Sequence, residues 1–388
     1  MVTWDYIDTQ EKLDDCIQFL EKQTVLAIDL EFDKNRYRYG FNLCLVQVFS
    51  GGRCFLIDPL IEGIDLKGLY NILENPAIEN VVYSFGEDLR LLHSLGCFPK
   101  NTYDLAITLR LLNYPPASLG NVLGQVLDIE ISKAAQKSNW FARPLSAKQL
   151  DYAARDVLYL FDLQERLQVE VEEVGVGAWI TEENQYIETL SYADIDNNVY
   201  LKEKDKYGLS EHEYYIFEHL MAFREELAAQ HNRPSYQMID KEYLRELSQR
   251  PNQIHRFEKI RGVYKSFKNE AFKDRLWNKF QQFAKEAERA HLSKTEDALK
   301  RLGQAEHQVR RQKRKERDEI KRKIFKPIQA KISENHGDQV VTYILGNRLM
   351  DDLSEGKTEG LRNYKRQLIE QYAQELDLDV SPYLDPQE

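Results

Sequence analysis

Five side chains in the first half of the chain have types and spacings suited to one kind of chemistry: Asp29, Glu31, Asp88, Tyr152 and Asp156. Asp29 and Glu31 close the run Val25-Leu26-Ala27-Ile28-Asp29-Leu30-Glu31-Phe32, whose apolar length predicts a buried strand. Alternate strand residues face the same side, so the two carboxylates point together while Leu30 points back. Two like charges held side by side away from water are costly unless a cation offsets them. Hard divalent ions such as Mg²⁺ and Mn²⁺ prefer carboxylate oxygen. The competing reading is a strand end fraying into solvent.

The other three stand on predicted helices. Glu79-Asn80-Val81-Val82-Tyr83-Ser84 reads as a second short strand, and Phe85 to Leu92 turns into a helix with Asp88 near its start. A carboxylate there is favoured by the helix dipole, so capping alone is an alternative account of Asp88. Ser146-Ala147-Lys148-Gln149 fits a capping box, and Leu145 with Leu150 fits a hydrophobic staple. Leu150, Ala153, Ala154, Val157, Leu158 and Phe161 then repeat with helical period. Tyr152 and Asp156, four apart and off that stripe, share one face.

The order Asp-x-Glu, Asp, Tyr-x-x-x-Asp resembles the tyrosine-bearing branch of the DEDD 3′→5′ exonucleases. The flanks Leu45-Val46-Gln47-Val48, Leu56-Ile57-Asp58-Pro59-Leu60 and Asn139-Trp140-Phe141-Ala142-Arg143-Pro144-Leu145 resemble ribonuclease D. One departure is Leu30, where ribonuclease D sequences often carry Thr; its side chain points away from the carboxylates. The resemblance implies a ribonuclease H-like α/β domain with a mixed sheet. It implies that Asp29, Glu31, Asp88 and Asp156 hold two divalent cations, with Asp29 bridging both, and that Tyr152 orients the attacking water. Two metals about 3.5–4 Å apart activate water and stabilise the leaving oxygen of a phosphodiester. Trp140, Arg143 and Lys133 are candidate substrate contacts, although a core Trp with a packed Arg fits the first two as well. Asp104, tempting as a further ligand, reads as a helix cap.

Composition bounds the rest. The chain has 388 residues and formal charge −11. Residues 1–200 carry 16 Lys and Arg against 31 Asp and Glu; residues 201–388 carry 37 against 33. Phosphate contacts dominate nucleic-acid affinity, so an acidic catalytic half benefits from a helper domain. No apolar run is long enough to span a membrane, and no secretory leader is expected. Cys16, Cys44, Cys54 and Cys97 form no Cys-x-x-Cys pair, which argues against structural zinc and for free thiols in a cytoplasmic protein.

The second half reads as helical. Tyr215 to Arg224 and Tyr243 to Leu247 have helical pattern, and Phe257 to Val263 reads as a helix ending at Gly262. This arrangement resembles the HRDC domain of ribonuclease D and RecQ-type helicases, which implies auxiliary nucleic-acid binding. Eleven basic residues between Arg310 and Lys331 face three acids, either a solvated helix or a phosphate-contacting arm. The expected division is an exonuclease domain over 1–193, a linker over 194–212, an HRDC domain over 213–287, and a basic arm with a degenerate second HRDC-like bundle over 288–388. The function expected is a two-metal 3′→5′ exoribonuclease that trims tRNA precursors and other small structured RNAs. A DNA 3′→5′ exonuclease and a non-catalytic nucleic-acid-binding protein are the alternatives. No Gly-x-x-x-x-Gly-Lys-Ser/Thr motif is present, which disfavours a helicase.

Overall fold

The computed structural model describes residues 3–131, 135–192, 201–295 and 297–385. Six strands form one mixed sheet: β1 (Asp5–Ile7), β2 (Val25–Lys34), β3 (Phe41–Ser50), β4 (Arg53–Ile57), β5 (Glu79–Val82) and β6 (Thr102–Asp104). Their order is β1-β4-β3-β2-β5-β6, with β1 parallel to β4, β2 to β5 and β5 to β6. β3 and β4 pair antiparallel across Gly51 and Gly52, both at positive φ, where a tight hairpin turn favours glycine. β2 is flanked by β3 and β5, and Ala27 and Leu26 are fully buried. That explains the apolar run before Asp29: a strand covered on both faces has no polar side.

Helices α1 (Gln10–Leu20), α2 (Lys67–Leu73), α3 (Gly86–Ser94), α4 (Leu105–Leu111), α5 (Leu119–Leu127), α6 (Ala147–Leu158), α7 (Leu160–Val174) and α8 (Gly177–Thr189) accompany the sheet. β5 ends earlier than its sequence implies, at Val82 rather than Ser84. Ser84 takes a left-handed φ of 59°, and the Asp104 carboxylate accepts the N–H groups of Ser84 and Phe85. The chain is thereby turned into α3.

The helical remainder comprises α9 (Glu211–Gln230), α10 (Lys241–Gln249), α11 (Glu270–Arg289), α12 (Asp297–Ile320), α13 (Lys326–His336), α14 (Asp338–Ile344), α15 (Asn347–Ser354), α16 (Asn363–Glu375) and α17 (Ser381–Leu384). The stretch expected to be a helix ending at Gly262 is a 3₁₀ helix, Pro251–Lys259, which stops before Ile260 turns extended. Pro327 follows a π-helical turn, Lys321–Phe325, that joins α12 to α13 and stands within the first two residues of α13.

By contacts the chain forms two compact units. One joins Met1–Phe32, Leu43–Asp194 and Arg314–Glu388; the other joins Asp33–Asn42 and Ile195–Lys313. Within the first, Phe325, Ile328, Ile332, Val340, Ile344 and Ile369 share one apolar core with Ile107, Leu111, Val171, Val176 and Ile180. The C-terminal helices are thus part of the body that carries the sheet. The second unit packs α9, α10 and α11 around Phe217, Leu220, Phe257 and Leu276. Residues 194–200 of the expected linker lie outside the described residues. The four cysteines are free and buried. Among the described residues no helix is long and apolar enough to cross a membrane.

Candidate active site

The carboxylates meet where β2 runs out of the sheet interior. Leu30, between Asp29 and Glu31, is 4% exposed, so the strand pleat buries its side chain on one face and turns the two acids to the other. The capping box expected at Ser146 and Gln149 is present and starts α6. Ala153, Ala154 and Val157 bury one stripe of that helix, which leaves Tyr152 and Asp156 on the face directed at β2. Carboxylate oxygens of Asp29, Glu31 and Asp156 all lie within 4.8 Å of one another. Asp88, in the first turn of α3, stands outside that tight trio, but its charge is felt at Glu31 and it feels Asp29 in turn.

The electrostatics are one-sided. Burial first, then the charge of Asp156, holds the Asp29 carboxyl well above the usual range. Burial, Asp29, Asp156 and Asp88 do the same to Glu31. Burial and Asp29 raise Asp88. Burial pushes Asp156 up to about 7, although a hydrogen bond from Tyr152 works the other way. None of the four makes an ion pair with a basic side chain among the described residues. Four acids without a counter-charge are the donor set that a hard divalent cation fits. Burial and the neighbouring carboxylates drive the Tyr152 pKa far upward, so its phenol stays protonated. It stands beside the Trp140 ring at 6.2 Å between centroids.

The remaining candidates fall differently. Asp104 is the N-cap of α4 and accepts the N–H of Ala106 as well as those of Ser84 and Phe85. Lys133 lies outside the described residues. Trp140 is 3% exposed and belongs to the core beside α6. Arg143 pairs with Asp58 through two nitrogens and also donates to the carbonyls of Cys44, Trp140 and Ala142. Asp58 is fully buried and also accepts from Tyr6 Oη at 2.5 Å and Leu60 N at 3.0 Å. In the structure Trp140 and Arg143 are held by these protein partners, which is the packed arrangement that the sequence also allowed. Sequence gave no role to Asp58; its one signal was an acid inside an otherwise apolar strand end. Arg143→Ala should destabilise the fold by about 3 kcal/mol in urea titrations, because it strands a buried carboxylate. A raised substrate KM at unchanged stability would instead assign Arg143 to the substrate.

Comparison with known proteins bears on what this site does. Residues 4–172 match the sequence pattern of the 3′-5′ exonuclease family. That stretch contains Asp29, Glu31, Asp88, Tyr152 and Asp156. Along and beyond it the chain is 30% identical over 234 residues to ribonuclease D of Shewanella sp. (strain ANA-3), an alignment covering 58% of each. Ribonuclease D of Zymomonas mobilis is 34% identical over 167 residues, covering 42% of this chain and 43% of that one. The chain thus spans somewhat over half the length of the first of these relatives. In structure it is similar to Escherichia coli RNase D, with TM-score 0.70 and 21% identity over 96% of this chain and 99% of that one. A protein from Bifidobacterium adolescentis gives TM-score 0.73 at 18% identity, covering 98% and 97%. Both likenesses show the fold alone: a mixed sheet flanked by helices, followed by a helical region.

Proposed function

We propose that the chain is a 3′→5′ exoribonuclease of the ribonuclease D type, releasing nucleoside 5′-monophosphates from free 3′ ends. The observation that carries this reading is the trio Asp29, Glu31 and Asp156, whose oxygens converge within 4.8 Å. Asp29, Glu31, Asp88 and Asp156 would hold two divalent cations, Mg²⁺ or Mn²⁺, directly or through water. Such ions supply an acidified water and stabilise charge on the leaving oxygen. The chain's own residues do the rest. The rigid β2 strand and α6 fix the carboxylates in place, so no reorganisation is needed as charge develops. Tyr152, protonated and hydrogen-bonded to Asp156, donates rather than accepts. Its role is therefore to position the water, not to act as the base.

The substrates we assign are tRNA precursors and other small structured RNAs with single-stranded 3′ extensions. The HRDC-like residues 213–287 and the basic stretch after Arg310 offset the acidic exonuclease half and hold the RNA body. A 3′-end trimming assay with Mg²⁺ or Mn²⁺ tests the whole reading on matched RNA and DNA strands and on a tRNA with a 3′ extension. Stepwise, metal-dependent shortening of RNA is expected. Equal or better trimming of DNA would replace RNA as the substrate, and no turnover on any strand would remove the catalytic reading. Tyr152→Phe should lower kcat by about 10–100-fold, a loss of ~1.4–2.7 kcal/mol in transition-state stabilisation, while leaving metal affinity in place.

A further inference from the structure

Gln47, within β3, is fully buried, and neither its Nε2 nor its Oε1 has a hydrogen-bond partner among the described residues. A buried amide with nothing to bond is destabilising, and an apolar side chain of the same length would pack without that cost. Its surroundings are apolar: Val46 and Val48 flank it, and Leu56 stands opposite on β4. The fold keeps an amide where packing alone asks for Leu or Met, and such a group calls for a reason.

The pleat shows which way the amide is directed. Leu45 shares the apolar core of Ala153, Ala154 and Val157 on α6, and the Phe49 ring meets Phe161 of α7 at 5.6 Å between centroids. Alternation puts Gln47, between those two, on the same face. On β2 that core takes Ala27. Asp29, two residues on, therefore faces α6 as well, where it meets Asp156. β2 and β3 are neighbours in the sheet, and so short a connection joins only antiparallel strands. Ser50 Oγ donates to the Val25 carbonyl at 2.6 Å, so these two ends lie side by side. Asp29 is four residues along β2 from Val25, and Gln47 is three residues back along β3 from Ser50. The two are thus level to within about one residue, on strands about 4.8 Å apart, with their side chains on one face.

The Asp29 carboxyl accepts the backbone N–H of Leu30. An ionised carboxylate has about four lone-pair sites, and those not given to a cation need donors to fix its orientation. On β2 the same face offers none, since Ala27 has no donor and Glu31 is another acid. Gln47 brings two N–H groups and no charge. A Lys or Arg in its place would cancel the negative charge that attracts a cation.

We propose that Gln47 is a positioning residue for the acidic centre: an N–H of its amide is reserved for the Asp29 carboxylate in the ionised form that takes a divalent cation, and fixes the direction in which that carboxylate faces. It rests on the two-metal exoribonuclease reading and deepens it by placing a neutral donor behind the acids. The amide itself touches neither cation nor RNA.

The test measures binding of Mn²⁺ to the full chain by titration calorimetry, together with thermal melting in EDTA. Gln47→Met keeps the side-chain length and removes both donors. Its Mn²⁺ affinity should fall about 10–100-fold, the loss that follows removal of a group orienting a metal-holding side chain. In EDTA its thermal midpoint should equal or exceed that of wild type, because an unsatisfied amide is gone. Gln47→Leu should behave alike, so that neither result depends on how one side chain packs. In the trimming assay kcat should fall while the KM for RNA holds. Mn²⁺ affinity equal to wild type in both variants would overturn the proposal. If their midpoints in EDTA also drop, Gln47 is a structural group satisfied by buried water. If wild type binds Mn²⁺ and trims RNA while the variants match it, only the role of Gln47 is lost. If wild type binds no Mn²⁺, the two-metal reading fails by itself and takes this role with it.

Discussion

Asp29→Asn is expected to lower turnover by about a thousandfold or more while making the metal-free protein more resistant to heat. Asp29 is central to the acidic group: its charge raises Glu31, Asp88 and Tyr152, and it is itself raised by burial and by Asp156. A neutral amide of the same shape removes that repulsion and also removes one carboxylate from the proposed metal-holding set. Losing several kcal/mol of transition-state stabilisation corresponds to three or more decades in rate. Relief of the repulsion acts on the ground state of the fold and raises its melting point by a few degrees. The pH dependence has a definite sign. The Asp156 carboxyl goes from 3.8 in the unfolded chain to about 7 in the fold. A raised acid is stabilising below its unfolded value, and that contribution is lost as pH rises towards the folded one. Metal-free wild type should therefore lose stability between about pH 4 and 7, by at most ~1.4 kcal/mol per pH unit for this group. Asp29→Asn should flatten the slope, and added Mn²⁺ should reverse it for wild type more than for the variant. Melting curves across pH with and without metal read all three effects. A variant that stays active, or that melts lower than wild type without metal, would detach Asp29 from the acidic centre.

How much of this was legible in the sequence follows from what the local pattern can carry. β2 and α6 were readable because burial on both faces writes an unbroken apolar run, and a capping box with helical period writes a start and a face. The acids were readable because charge at the end of such a run is rare. β1 and β6 were not foreseen: three residues are too short to show alternation, and only their pairing with β4 and β5 makes them strands. Trp140 and Arg143 sat near the motif, and proximity in sequence reads alike for a substrate clamp and a buried brace. Only the partner settles it, and Asp58 is 85 residues away from Arg143. The largest gap concerns residues 320–384. Their helical pattern was visible, but not the core they join. Removing everything after residue 206 is the obvious way to isolate an exonuclease domain, and it would expose Ile107, Leu111, Val171, Val176 and Ile180. No pattern within a helix names the helix it packs on.

That shared core has an ionic fastening at Glu183, and breaking it should give the largest loss of stability of any single side-chain change considered. Glu183 on α8 is 1% exposed. Its carboxylate meets Lys365 Nζ at 2.8 Å and Arg362 Nη2 at 2.9 Å, and accepts from Tyr364 Oη at 2.7 Å and Tyr343 Oη at 3.2 Å. Next to it, Glu182 accepts the N–H groups of Asn363 and Tyr364 and so caps α16 from another helix. Burial alone would raise the Glu183 carboxyl, but Lys365, Tyr364 and Arg362 together hold it below 4.5. Glu183→Ala leaves Lys365 buried without its partner and two tyrosine hydroxyls unmatched, at a cost of about 3–5 kcal/mol. The pair as a whole is a different matter, since replacing both ions by apolar groups of similar size restores packing without a stranded charge. Glu183→Met with Lys365→Met should therefore recover part of the loss in a double-mutant cycle. A depressed carboxylate stabilises the fold above its unfolded value and stops doing so as pH falls through the folded one. The fastening should hold at neutral pH and weaken as pH falls below 4.5. Urea titrations of the full chain at pH 7 and pH 4 measure this: the gap between wild type and Glu183→Ala should narrow in acid. A gap that is small at pH 7, or unchanged at pH 4, would mean that apolar contacts alone hold the C-terminal helices to the exonuclease body.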